Sequence, residues 1–121
     1  MYHDRINLTI SALATSPGSS IGIIRISGGD SHRIAIKLTN RQNFSHMKAS
    51  VVDIVSKEGA LVEKCLLLPF FAPKSFTGED VVELHVHGAV GNAKDILNMI
   101  FDLGATPALN GEFSFLSLIH I

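Results

Sequence analysis

Residues 74–88 read KSFTGEDVVELHVHG, and the run from Asp80 to His87 within them decides how the rest of the chain is read. Val82, Leu84 and Val86 alternate with Val81, Glu83, His85 and His87. A period of two marks a strand with one face in a core and the other outside it. Gly78 just before the strand suits a turn at positive φ, and His87–Gly88 suits a strand-to-helix turn. Glu79 and Asp80 are neighbours, so on a strand they point to opposite faces and do not form an acid–base couple.

Working outward, residues 89–104 (AVGNAKDILNMIFDLG) change period. Val90, Ala93, Leu97 and Ile100 form one apolar stripe, widened by Ile96 and Phe101, which predicts a helix ended by Gly104. Residues 105–109 (ATPAL) read as a short strand. Upstream, SVVDIVS and ALVEKCLLLPF read as two strands joined by KEG, a hairpin signal. Residues 21–27 (IGIIRIS) form another strand, and Gly28-Gly29 close it ahead of a helix from Asp30 or Ser31 to about Thr39. Residues 6–13 (INLTISAL) read as a further strand, followed by the turn cluster TSPGSS. Strands outnumber helices and interleave with them. The fold class is therefore α/β (α+β): one mixed sheet with helices packed on a face.

Composition excludes several functions. The chain has 121 residues, one domain's worth, with 46% hydrophobic residues to supply a core. Its ten Lys and Arg are scattered and the net charge is −1, so a strong grip on a nucleic-acid backbone is not expected of this segment alone. The single cysteine, Cys65, cannot form an internal disulfide and sits in an apolar run, which predicts a buried thiol. The N-terminus has no signal-peptide pattern, no stretch reaches the ~20 apolar residues of a membrane span, and a reducing cytoplasm fits.

Glu83, His85 and His87 lie on one strand face at a spacing of ~7 Å. Two histidines and a carboxylate could hold a transition metal, which makes a small metal-dependent enzyme the alternative function; the bland reading is a solvated polar face. Arg25 stands in the middle of an apolar strand, where a charge is costly unless paired. It reads either as an ion-pair partner or as a planar donor fork for a carboxylate-bearing or heteroaromatic ligand. GGDSHR after IIRIS reads as a tight strand-to-helix turn rather than a phosphate loop. No serine stands in a nucleophile-elbow context. One arginine and one glutamate on separate strands, without a nucleophile, suggest binding rather than bond-breaking.

ALATSPGSSIGIIRISG (12–28), SFTGEDVVELHVHG (75–88) and GEFSF (111–115) together resemble the N-terminal domain of the MnmE (TrmE) family of tRNA-modification GTPases, over about residues 6–115. The resemblance implies a fold similar to the tetrahydrofolate-binding domain of the glycine-cleavage T-protein. It also implies a homodimer that binds a tetrahydrofolate derivative, in the 5-formyl or methylene form, near the dimer interface. In this family Arg25 of RISG and Glu83 after GED correspond to folate contacts; no catalytic residue and no metal ligand are implied here. Full-length members add a helical domain and a GTPase domain that uses GTP, magnesium and potassium. With the flavoprotein MnmG they place an aminomethyl or carboxymethylaminomethyl group on C5 of the wobble uridine of certain tRNAs, in the cytoplasm.

The chain departs from the family pattern at Ala89, where a second glycine is expected, and at Asn110, where a proline usually precedes GEF. A family lysine shortly after GEFS has no counterpart, because residues 116–121 (LSLIHI) replace the expected arginine- and asparagine-containing stretch. Residues 1–115 thus read as the folate-binding domain, truncated, and 116–121 as a non-native tail that floats or adds a strand. The helical and GTPase domains would be absent, and folate binding by this piece alone is expected to be weak.

Overall fold

A computed structural model describes residues 3–15, 20–87 and 90–119. Six strands form one sheet in the order β3-β4-β5-β2-β1-β6. They are β1 (Ile10–Leu13), β2 (Ile21–Ser27), β3 (Ser50–Val55), β4 (Leu61–Phe70), β5 (Val81–His87) and β6 (Thr106–Pro107). All neighbours pair antiparallel except β1 and β6, which run parallel, so the sheet is mixed as expected. Three helices accompany it: α1 (Ser31–Thr39), α2 (Val90–Asp102) and α3 (Glu112–Ile119).

The alternation in β5 sets the core. Val82, Leu84 and Val86 join Ile24 and Ile26 of β2 and Leu67 of β4 on one face, where Ile34 and Leu38 of α1 and Ile96 and Ile100 of α2 cover them. Burying such side chains contributes roughly 1.5–3 kcal/mol each, enough to hold both helices on that face. α1 begins at Asp30 without a side-chain cap, and Asn40 ends it in the left-handed conformation. Gly28 makes the turn between β2 and α1 possible. Its φ is +138°, and a Cβ there would lie 2.6 Å from the Thr9 backbone. Gly104, at φ +121°, ends α2 in the predicted place.

Three elements differ from the sequence expectations. The first strand starts at Ile10, not residue 6, because His3–Arg5 form a 3-10 turn and Leu8 N–H then closes a further turn on the Arg5 carbonyl. The strand expected over 105–109 is only Thr106–Pro107, which pairs with Ile10 and Ser11 of β1. EFSFLSLI is a helix, α3, and Leu116 is buried within it. Its apolar residues Phe113, Phe115, Leu116, Leu118 and Ile119 are spread around the axis, so no 3.6-residue stripe announced it. What starts it is Glu112, whose Oε1 reaches back to accept the Leu109 N–H at 2.9 Å. Arg5 grips the same carboxylate with Nε and Nη2, at 3.0 and 3.1 Å, tying the N-terminal turn to the last helix. Ala89 and His120 lie outside the described residues.

Candidate functional site

The sheet face away from α1 and α2 carries the other half of the alternation. Residues paired across strands share a face, and Arg25 of β2 stands directly opposite Glu83 of β5. Arg25 Nε and Nη2 both donate to Glu83 Oε2, each at 3.0 Å. Both side chains are largely buried, 20% and 15% exposed, so the pair is shielded far better than a surface bridge. The two residues singled out separately by sequence are thus one unit, and the costly charge in β2 is paired.

Aromatic rings bracket the guanidinium. The Arg25 Cζ lies 4.8 Å from the centre of Phe76 and 5.5 Å from that of Phe113. Rings at these distances favour a cation electrostatically and restrict its orientation. Phe76 comes from the loop between β4 and β5, Phe113 from the first turn of α3. Neither stood out in the sequence. GEFSF offered the only signal for Phe113, and the SFT of the loop the only one for Phe76.

The loop that delivers Phe76 is fastened at several points, which explains SFTGED. Thr77 is fully buried and its Oγ1 meets Ser27 Oγ at 2.7 Å. Ser27 Oγ donates to Glu79 Oε1 at 2.9 Å. Ser75 Oγ donates to the Glu79 carbonyl. Asp80 Oδ1 accepts the Ala72 N–H at 2.8 Å, and the Asp80 carbonyl accepts Gly28 N–H at 2.9 Å. Gly78 sits at φ +81°, which permits the tight reversal between Thr77 and Glu79. Glu79 and Asp80 therefore have separate anchoring duties, as their opposite faces required.

Two clefts flank Phe76. One, of about 280 Å³, is reached by Arg25 and walled by Phe113, Asn110, Gly111 and Ser114. The other, of about 300 Å³, is reached by Glu83 and walled by Met47, Phe70 and Val81, with Lys74 at its rim. The paired charges thus project into different spaces, separated by a single aromatic side chain.

The Glu-x-His-x-His trio does not converge. His85 Nε2 lies 3.3 Å from Glu83 Oε1, but His87 is 83% exposed and turns its Nδ1 to Glu63, 3.6 Å away. Among the described residues, no group of three or more His, Cys, Asp or Glu stands close enough to share a metal ion. Glu63 is instead a structural acid. It is buried, and it accepts from His87 N–H and Asn92 Nδ2, each at 2.9 Å, so it joins β4 to the end of β5 and the first turn of α2. Cys65 is buried as expected; burial, aided by Glu63 and Asp53, pushes its thiol up to about 12, far from a reactive thiolate. Among the described residues, no helix is long and apolar enough to cross a membrane.

The family model "GTP-binding protein TrmE N-terminus" matches residues 9–120, which include both strands of the Arg25–Glu83 pair and α3. A tRNA modification GTPase MnmE of Helicobacter pylori (strain HPAG1) is 46% identical over 110 residues, covering 90% of this chain and 24% of that protein. Proteins of the same name from Sulfurimonas denitrificans and Dichelobacter nodosus are 46% and 42% identical, over 88% and 89% of this chain and 24% of each relative. The chain thus spans about a quarter of the length of these curated relatives. With a match across nearly its whole length, the chain belongs to the family of TrmE N-terminal domains of tRNA-modification GTPases.

Proposed function

We propose that this chain is the folate-binding and dimerisation module of a GTPase that modifies the wobble uridine of tRNA together with MnmG. The cofactor is a tetrahydrofolate derivative, in the 5-formyl or methylene form, and the work is done in the cytoplasm. GTP, magnesium and potassium would belong to the GTPase domain of the whole protein. The carrying observation is the Arg25–Glu83 pair, held between two aromatic rings with a cleft on either side. A pterin offers a ring N–H and an amino group side by side, which a carboxylate accepts as it does an arginine fork. The folate tail carries carboxylates, which a guanidinium takes.

The uncovered sheet face supports the dimerisation half. Val51, Leu66, His85 and Ile23 form a row straight across β3, β4, β5 and β2, each paired with the next. Val51 is 61% exposed and the nearby Ile21 57%. Apolar side chains grouped in this way mark an interaction surface, and a second copy of the chain is the occupant we assign to it.

A titration of the chain with 5-formyltetrahydrofolate, followed by amide NMR, tests the ligand. NMR detects the weak binding expected of a piece of a larger protein. Saturable shifts at Val81 and Gly111 are expected, and Arg25→Lys or Glu83→Gln should each weaken binding about tenfold, the value of one charge-assisted hydrogen bond. No saturable shift, or unchanged affinity in both variants, would remove the proposal.

A further inference from the structure

Apolar burial does little to seat α3. Of its eight residues, Glu112 and Leu116 are buried, one turn apart on the same side, while Leu118 and Ile119 at its far end are exposed. One buried leucine does not fix how a helix is turned about its axis. A fork of hydrogen bonds does. Arg5 Nε donates to Glu112 Oε2 at 3.0 Å, and Arg5 Nη2 donates to Glu112 Oε1 at 3.1 Å and to the Pro107 carbonyl at 2.9 Å. One guanidinium thus holds both the end of β6 and the first turn of α3. The Glu112 carboxylate is only 2% exposed, and without Arg5 it would keep, among the described residues, the Leu109 N–H alone. A buried charge that has lost its partner is driven back toward water. The first turn of α3 would have to give way for Glu112 to reach it.

We propose that Arg5 is a positioning residue: its grip on Glu112 sets the seat of α3, and with it the distance between Phe113 and Arg25. Phe113 follows Glu112 directly, and neighbours on a helix point about 100° apart. Glu112 is turned to the N-terminal turn, and Phe113 is turned to the sheet, its ring centre 5.5 Å from Arg25 Cζ. The first turn of α3 is therefore held between two guanidiniums, one by an ion pair and one by a ring. Asn110, Gly111, Phe113 and Ser114, on either side of Glu112, form one wall of the cleft of about 280 Å³, and Ala12 and Arg25 of the sheet lie in the other. Arg5 stands outside this lining, so its effect on the cleft passes through Glu112. The turn at residues 3–5 thus controls a wall built more than a hundred residues later. The inference concerns that wall and not what the cleft holds, so it goes beyond the folate reading and does not depend on it.

The NMR signal of the Arg25 Nε–H reads the distance, because the ring current of Phe113 contributes to its shift. Arg5→Ala should move that signal toward the place where Phe113→Ala puts it. The same variant should speed amide hydrogen exchange at Phe115, whose N–H bonds the Gly111 carbonyl, roughly tenfold. Exchange at Val82 and Leu84 in β5 should stay within about twofold, since the opening is local. Arg5→Lys, which keeps the charge and loses the fork, should fall between wild type and Arg5→Ala on both readouts. Arg5→Ala combined with Glu112→Gln should recover part of both changes, because no charge is then stranded. Arg33→Ala, which removes a hydrogen bond to the Leu103 carbonyl on the helix-covered face, should change neither. The proposal is overturned if the Arg25 signal stays in place in Arg5→Ala. It is also overturned if exchange rises as much in β5 as in α3, which would make the ion pair a general fastening. Should Arg5→Ala not fold, Arg5→Lys and the double variant carry the same two readouts. Failure of 5-formyltetrahydrofolate to bind would remove the ligand reading and leave this result untouched.

Discussion

The two faces of the sheet are built from the same strands under opposite rules. On the helix-covered face, Ile24, Ile26, Val82 and Leu84 are wholly buried and make no polar contact through their side chains. One residue along each strand, the face turns to Arg25, Glu83 and His85, half-buried polar groups satisfied by one another and by a loop. The first face is defined by volume, the second by charge and direction. A slip of one residue in the β2–β5 register would exchange them, putting a charge pair under α2 and isoleucines in the cleft, so the core face enforces the register that assembles the site.

Breaking the covered face should cost the most stability. Leu84→Ala leaves a cavity among fully buried neighbours on β2, β4 and α2. It should destabilise the chain by roughly 2–5 kcal/mol, read from a urea midpoint. Breaking the other face should cost less. Arg25→Ala leaves the Glu83 carboxylate largely buried with only His85 near it, an expected loss of roughly 1–3 kcal/mol. The double variant with Glu83→Gln should recover part of that loss, because no charge is then stranded. A double-mutant cycle showing no coupling between the two positions would mean that the charge pair adds nothing to the fold.

The unequal rules also explain what could be read in advance. Strand β5 and helix α2 follow from apolar periodicity, which reports the covered face because burial is what enforces a period; β2, β4 and α1 follow from apolar runs and the turn and cap signals that bound them. Arg25 and Glu83 were legible as anomalies, a charge within an apolar strand and an acid on its outer face. Their pairing was not, since register between strands 58 residues apart is a tertiary fact. Phe76 and Phe113 were illegible for the same reason: each lies outside the strands and gains meaning only by standing over Arg25. α3 was missed because its apolar residues show no stripe and its start depends on Glu112, whose partner Arg5 is 107 residues away. Gly78 marks SFTGED as a turn, yet the hydroxyl network from Thr77 to Ser27 and Glu79 is visible only in three dimensions.

Sharpening the contrast calls for substitutions that touch only the exposed apolar row. Val51→Lys or Ile21→Lys removes neither core volume nor a hydrogen bond, so the stability of the isolated chain should stay within about 0.5 kcal/mol. If a second copy covers this face, the same changes should shift the chain toward monomer in sedimentation equilibrium. A dimer that persists in both variants would place the contact elsewhere.

The smallest expected effect lies at the root of the Phe76 loop and reads on pH. His32 of α1 stacks on Phe71, with ring centres 4.2 Å apart and planes 12° from parallel. Both its ring nitrogens are shut off from solvent, and neither makes a well-formed hydrogen bond, although the Phe70 backbone lies near. Burial lowers the imidazole below its ordinary 6.5, and the nearby Asp80 carboxylate and Phe70 backbone oppose this only in part. A group whose folded pKa is depressed favours the fold while it is uncharged. Its stabilisation is therefore complete above the unfolded value of about 6.5 and declines as pH falls below that toward the folded value, because the unfolded chain takes the proton first. His32→Phe keeps the stack on Phe71 and removes the titration. The stability difference between wild type and this variant should be constant above pH 7 and should move in favour of the variant as pH falls from 6.5. The change is expected to be slight, since the ring as a whole is only half buried and solvent screens much of the effect. A difference that is flat across pH 5–8 would mean that His32 titrates alike in the folded and unfolded chain, and that the stack on Phe71 is a packing contact alone.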